Sequence, residues 1–155
     1  MISLRKAEYS DCPLLHSIQV RCFVSLLQKY EDFESSPAAE SLDQIQQRFE
    51  QSFTDYYLIL FDDQVIGMLR VCNFGLNCRL SPVCILPEFQ GRGDAQLAIS
   101  EMEKLYPEAL TWNLDTIAQE EKLCYLYEKI GYRKTGKLEH VKEGMDLVYY
   151  EKQMY

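Results

Sequence analysis

The run Val83-Cys84-Ile85-Leu86-Pro87-Glu88-Phe89-Gln90-Gly91-Arg92-Gly93-Asp94-Ala95-Gln96 places residue types in an order suited to holding an anion. An apolar strand-like stretch stops at a proline, a loop with two glycines follows, and the spacing then becomes helical. The first amides of a helix have no internal partners and carry the positive end of its dipole. Glycines at 91 and 93 let a ligand come close to the backbone. The chemistry on offer is the binding of a phosphate or pyrophosphate by main-chain N–H groups, with Arg92 as the nearby cation. It is neither a P-loop, which needs a Gly-Lys-Ser/Thr ending, nor a Gly-x-Gly-x-x-Gly dinucleotide turn. Asp94 suits the helix dipole but competes with a phosphate for the same positive end, a repulsion Arg92 would offset.

The elements that must carry this loop are legible from spacing. A strand over 2–7 is followed by Ser10 and Asp11 as candidate N-caps, Pro13 in a first turn, and Leu15, Ile18, Cys22 and Leu26 on one helical face. Segment 30–40 is polar and acidic and reads as a surface loop, after which a second helix starts near Ser41 with Leu42, Ile45, Phe49 and Phe53 on one side. Residues 56–61 and 65–72 form an antiparallel hairpin turning at 62–64, and a turn at 73–77 leads to a strand ending at Ile85. Ala95, Ala98, Ile99, Met102, Leu105 and Tyr106 stripe the next helix, which Pro107 stops. A strand over 110–115, a helix with Leu123, Leu126, Tyr127 and Ile130 ending at Gly131, and strands over 132–138 and 145–154 complete the chain. The order is β-α-α-β-β-β-α-β-α-β-β, an α/β (α+β) arrangement with a mixed sheet and helices on both faces. Pro82 lies within a strand, where it is tolerated at an edge or a bulge.

Composition narrows the classes. The 155 residues, 47% hydrophobic, supply one core and one domain, 1–155. Twenty-four acidic against 16 basic residues give a net charge of −8, the wrong sign for a nucleic-acid binder. No apolar stretch approaches the roughly 18 residues of a membrane span, and the first residues mix charge with apolar side chains rather than forming a signal segment. The expectation is a cytoplasmic protein that contacts no membrane. The six cysteines, Cys12, Cys22, Cys72, Cys78, Cys84 and Cys124, form no Cys-x-x-Cys pair and several lie in apolar runs, which predicts buried free thiols. With only His16 and His140 besides, no metal site is expected.

Gln90-x-x-Gly93-x-Ala95, preceded by Leu86-Pro87, resembles the Gln/Arg-x-x-Gly-x-Gly/Ala signature of the GNAT N-acetyltransferases. Leu126-Tyr127-Glu128-Lys129-Ile130-Gly131-Tyr132 resembles a second motif of that family, in the right order and separation. The resemblance implies a GNAT acyltransferase fold with a central, mostly antiparallel sheet of about seven strands. It implies acetyl-CoA as cosubstrate, no metal, and direct transfer of acetyl to a primary amine in a ternary complex. By the same resemblance, amides of Gly91, Arg92, Gly93, Asp94, Ala95 and Gln96, with Gln90, would hold the pyrophosphate. Val83, Cys84 and Ile85 would face pantetheine across a cleft opened by a bulge, and a backbone N–H there would stabilise the oxyanion.

The resemblance also places Tyr127 where many members protonate the departing thiolate, and Asp115 where some carry an acidic base. Each has a plainer reading: Tyr127 as part of its helix's apolar stripe, Asp115 as a helix cap or strand end. Glu120 stands where many relatives have a cofactor-contacting asparagine. Cys84 has no histidine to activate it and is expected to be structural. The acceptor, a small-molecule or peptide amine, is left open. The acidic segment Glu31-Asp32-Phe33-Glu34 with Glu40 would suit a cationic amine, although an acidic run is more often a solvated surface. Two other classes remain: a non-catalytic CoA-binding sensor with this fold, and an interaction module whose tail, Tyr149, Tyr150 and Tyr155, pairs with another chain, a second copy in a homodimer included.

Overall fold

The computed structural model describes residues 1–155. In chain order the elements are β1 (Ile2–Lys6), α1 (Cys12–Tyr30), α2 (Leu42–Phe49), β2 (Thr54–Phe61), β3 (Gln64–Phe74), β4 (Asn77–Ile85), α3 (Asp94–Leu105), β5 (Thr111–Ile117), α4 (Glu121–Lys129), β6 (Arg133–Lys142) and β7 (Met145–Gln153). They make one seven-stranded sheet in the order β1-β2-β3-β4-β5-β7-β6. Every neighbouring pair is antiparallel except β4 and β5.

Local chemistry sets the boundaries. Pro13 occupies the first turn of α1, where its missing N–H costs nothing, and Glu31 ends that helix in a left-handed conformation. Ser41 and Gln44 form a reciprocal capping box on α2. Asp62 and Asp63, at φ of 47° and 71°, turn β2 into β3 in the left-handed geometry that a two-residue hairpin requires.

Each face of the sheet has its own core. Leu15 and Ile18 of α1 and Ile45 of α2 pack on Tyr56, Leu58 and Met68. On the other face Ala98, Ile99 and Met102 of α3 and Tyr127 of α4 pack on Leu69, Trp112 and Leu114. Burying these side chains is the main driving force for the fold.

Several sequence expectations shift. Helix α2 ends at Phe49, so Phe53 lies outside it, with its ring centroid 4.9 Å from that of Phe74. Leu105 is half exposed and leaves the stripe of α3 to Ala98, Ile99 and Met102. Strand β5 continues through Thr116 and Ile117 because both stay paired with β7, so Asp115 is inside the strand and caps no helix. β6 runs on to Lys142; as the exposed outer strand it has no apolar alternation to mark its end. Tyr150 is fully buried and its hydroxyl donates to Glu128, so the tail's aromatic run is partly core and only Tyr155 is freely exposed. The six cysteines are unpaired, and Cys12, Cys72, Cys78 and Cys84 are buried. No helix is long and apolar enough to cross a membrane.

Candidate active site

Strand β4 explains the cleft. Leu69 pairs with Val83 and Val71 with Leu80, so Ser81 and Pro82 together face the single residue Arg70. This is a β-bulge, and it bends β4 away from its other neighbour. The ladder to β5 covers only Asn77 to Arg79 against Thr111 to Asn113. Beyond it the two strands part, leaving the β5-facing edge of β4 without a strand partner.

Strand alternation decides which groups face that gap. Leu86 N–H donates to the Ile66 carbonyl at 2.8 Å, which sets residues 84 and 86 toward β3 and turns the backbone of Val83 and Ile85 toward the gap. The Ile85 carbonyl accepts from Gln90 Nε2 at 2.8 Å, so Gln90 pins the loop back onto the strand. Val83 N–H and C=O and Ile85 N–H are left for a ligand. Cys84 presents its side chain instead, on the α1 side of the sheet.

Two cavities flank the gap and share Phe23, Leu26, Val83, Leu123 and Tyr127 as a common wall. The larger, about 480 Å³, is lined by Val83, Cys84, Ile85, Gln90, Gly91, Gly93, Asp94, Ala95 and Gln96. Gly91 and Gly93 have φ of 85° and 80°, and nothing lies within 4 Å of where a side chain would begin, so the loop's backbone is open to approach. Gly93 caps α3, whose first amides follow at Asp94, Ala95 and Gln96. Arg92 is not among the lining residues. Its guanidinium lies 2.9 Å from the Asp94 carboxylate and over the rings of Phe61 and Phe89 at 5.0 and 5.3 Å. The cation therefore neutralises the carboxylate at the head of α3, while Glu120, the other carboxylate lining this cavity, is paired with Lys29. Lys122 of α4 also lines this cavity, a cation that no motif or spacing singles out.

The smaller cavity, about 290 Å³, contains Asp115, Arg79, Leu80, Val83 and Tyr127. Asp115 Oδ2 accepts from Arg79 Nη2 at 2.9 Å. Tyr127 is 7% exposed and reaches both cavities. Burial first, then the neighbouring Cys84, Asp115 and Cys124, push its pKa well above the ordinary tyrosine value, so it stays a neutral phenol. Tyr132 and Tyr150 beside it donate to Glu103 and Glu128, whereas no hydrogen bond within the protein uses Tyr127 Oη. Glu120 accepts from Lys29 at 2.6 Å and from Tyr30 at 2.5 Å, tying the start of α4 to the end of α1.

The family model for the acetyltransferase (GNAT) domain matches residues 25–154. The chain belongs to the GNAT acetyltransferase family. No curated protein matches it, but solved GNAT structures superpose along its whole length. The ribosomal-protein-S18-alanine N-acetyltransferase of Escherichia coli aligns over 99% of this chain and 94% of its own at 13% identity, with a TM-score of 0.79. The PaiA N-acetyltransferase of Thermoplasma acidophilum, solved in complex with coenzyme A, aligns over 99% of both chains at 16% identity and a TM-score of 0.72. A chimera of the Vibrio cholerae spermidine N-acetyltransferase SpeG with hSSAT aligns over 98% and 95% at 19% identity and 0.76. At these identities the likeness is one of fold, and the GNAT architecture expected from the motifs is the one observed. Within it, the split between β4 and β5 and the glycine loop at the head of α3 form one continuous cleft.

Proposed function

We propose that this GNAT domain transfers acetyl from acetyl-CoA to a primary amine directly, within a ternary complex. The observation that carries the reading is the pair of cavities meeting at Val83 and Tyr127, one ending on helix amides and the other on Asp115. The amides of Gly91 to Gln96 and the ammonium of Lys122 would hold the pyrophosphate, with Arg92 acting through Asp94. Pantetheine would lie along the free edge of β4 as an added strand, bonded to Val83 and Ile85. A main-chain N–H of that edge would accept the charge developing on the thioester oxygen.

On the acceptor side, Asp115 or a water it orders would take a proton from the ammonium. The amine nitrogen then bonds to the acetyl carbon, the C–S bond breaks, and the departing sulfur takes its proton from Tyr127, whose hydroxyl has no competing protein partner. The nitrogen gives up its second proton to water, and water returns one to the Tyr127 oxygen. Cys84 fits no acyl-carrying role, because burial and the adjacent Cys22 raise its pKa well above the free-thiol value and keep it protonated.

Thiol release from acetyl-CoA across a panel of primary amines tests this reading. Acceptor-dependent release is expected. Tight acetyl-CoA binding with no release on any amine would mark a sensor instead.

A further inference from the structure

We propose that the smaller cavity is built for a free α-amino acid with an apolar side chain, bound through its carboxylate to Arg79 and its ammonium to Asp115. The proposal rests on the acetyltransferase reading above and names the substrate class for that site.

Arg79 and Asp115 form an ion pair at 2.9 Å, with side chains only 28% and 22% exposed, inside a cavity whose wall includes Phe23, Leu26, Leu80, Ile117, Met145 and Leu147. The pair stands where β4 and β5 cease to be bonded, and it is braced. Asn113 Nδ2 donates to the Cys78 carbonyl at 3.2 Å, which directs Asn113 Oδ1 to accept from Arg79 Nη1 at 3.2 Å. Taking two charges partly out of water gains little stability by itself, and an apolar pair of similar volume would serve a purely structural end at least as well. A guanidinium fixed at one edge can offer a fork to a carboxylate while its neighbour faces a cation.

The geometry restricts the ligand. Adjacent charges of opposite sign are best matched by a ligand whose own two charges are adjacent, as the ammonium and carboxylate of an α-amino acid are. A polyamine would bring a second cation toward Arg79. The other carboxylate of the cavity, Asp32, is already committed to Ser35, accepting from its N–H at 3.3 Å and from its hydroxyl. The N-terminus of a protein has an amide in place of the carboxylate and leaves Arg79 without an anion. The remaining wall is apolar along Phe23, Leu26, Leu80, Ile117, Met145 and Leu147 and polar at Ser36, Ser81 and Thr116, the hydroxyls of Tyr30 and Ser35 being committed to Glu120 and Asp32. With the volume of a small ligand, the apolar side suits an aliphatic, thioether or aromatic side chain. Because Val83 and Tyr127 close the same cavity, an ammonium held at Asp115 shares a wall with the thioester.

The test compares leucine, methionine and phenylalanine with their decarboxylated amines, their amides and spermidine, measuring kcat/KM by thiol release. In parallel, calorimetry measures binding of the same amino acids to the coenzyme A complex. The amino acids should exceed their decarboxylated amines and amides by at least about tenfold, the size of effect a charge-assisted contact gives when its partner is removed. Arg79→Met should bring that ratio toward one through KM, and Arg79→Lys should restore part of it. Turnover that favours the decarboxylated amines, the amides or spermidine overturns the proposal, as does amino-acid binding indifferent to Arg79. Arg79-dependent binding with no transfer to any acceptor would uphold the site and overturn the acetyltransferase reading.

Discussion

Gly67 lies so close to the Cys84 carbonyl that a side chain begun on its α-carbon would stand 2.2 Å from that oxygen. The contact joins β3 to the part of β4 that borders the cleft, at the pairs Gly67–Ile85 and Met68–Cys84. Gly67→Ala must push β4 toward the gap. Overpacking of this kind costs about 1–3 kcal/mol, so the variant should unfold at lower urea than the wild type and bind coenzyme A more weakly. Wild-type binding by the variant would show that β4 tolerates displacement there.

The role proposed for Tyr127 can be separated from stability. Its hydroxyl has no protein partner, so Tyr127→Phe should leave the melting temperature close to wild type while lowering kcat by about 10²-fold or more, the low end for a lost general acid. Tyr132→Phe and Tyr150→Phe remove the donors to Glu103 and Glu128 and should destabilise instead. Because burial raises the Tyr127 pKa, kcat in the wild type should show no alkaline fall from loss of this proton within the ordinary tyrosine range. A pH–rate profile checks this.

The clasp between α1 and α4 carries a pH dependence. Hydrogen bonds from Lys29 and Tyr30, with the Lys29 charge, hold the Glu120 carboxyl below its ordinary value. A carboxyl depressed in the folded state contributes stability that is full above its unfolded pKa, about 4.3. That contribution is lost as the pH falls through the lower folded value. The melting-temperature gap between wild type and Glu120→Gln should therefore be present at neutral pH and shrink once the pH drops below about 4.

Lys122 lines the larger cavity together with the glycine loop. A partly solvated ammonium is worth about 1 kcal/mol to an anion, so Lys122→Ala should weaken coenzyme A binding about fivefold. Pantetheine, a truncated thiol lacking the pyrophosphate, should lose nothing by the change. Titration calorimetry with coenzyme A and with pantetheine distinguishes the two outcomes.

The loop from Leu86 to Gln96 was readable because its signals are local: a proline stop, two glycines at positive φ and a change of period need no knowledge of distant residues. The order of elements was readable for the same reason. Arg79 was not, because an arginine at an alternating strand position looks like any solvent-facing residue until the parting of β4 and β5 brings it to Asp115. Asp115 reads as a strand end in the sequence, since Thr116 and Ile117 announce nothing about the β7 partners that extend the strand. The pairing of Arg92 with Asp94 follows from their closeness in the sequence, but the rings of Phe61 and Phe89 over its guanidinium do not, because Phe61 comes from a strand far away in the chain. The bond from Gln90 to the Ile85 carbonyl is not legible either, since it needs the loop's three-dimensional return.

Direct transfer in the cleft between β4 and β5 is tested most simply by a single turnover. Enzyme in excess is mixed with acetyl-labelled acetyl-CoA, quenched before and after an amine acceptor is added, and the label is located by mass spectrometry. The account predicts no acetyl on the protein before the acceptor arrives and all of it on the acceptor nitrogen afterwards, in Cys84→Ala as in the wild type. Acetyl on the protein before the acceptor is added, lost in Cys84→Ala, would contradict it.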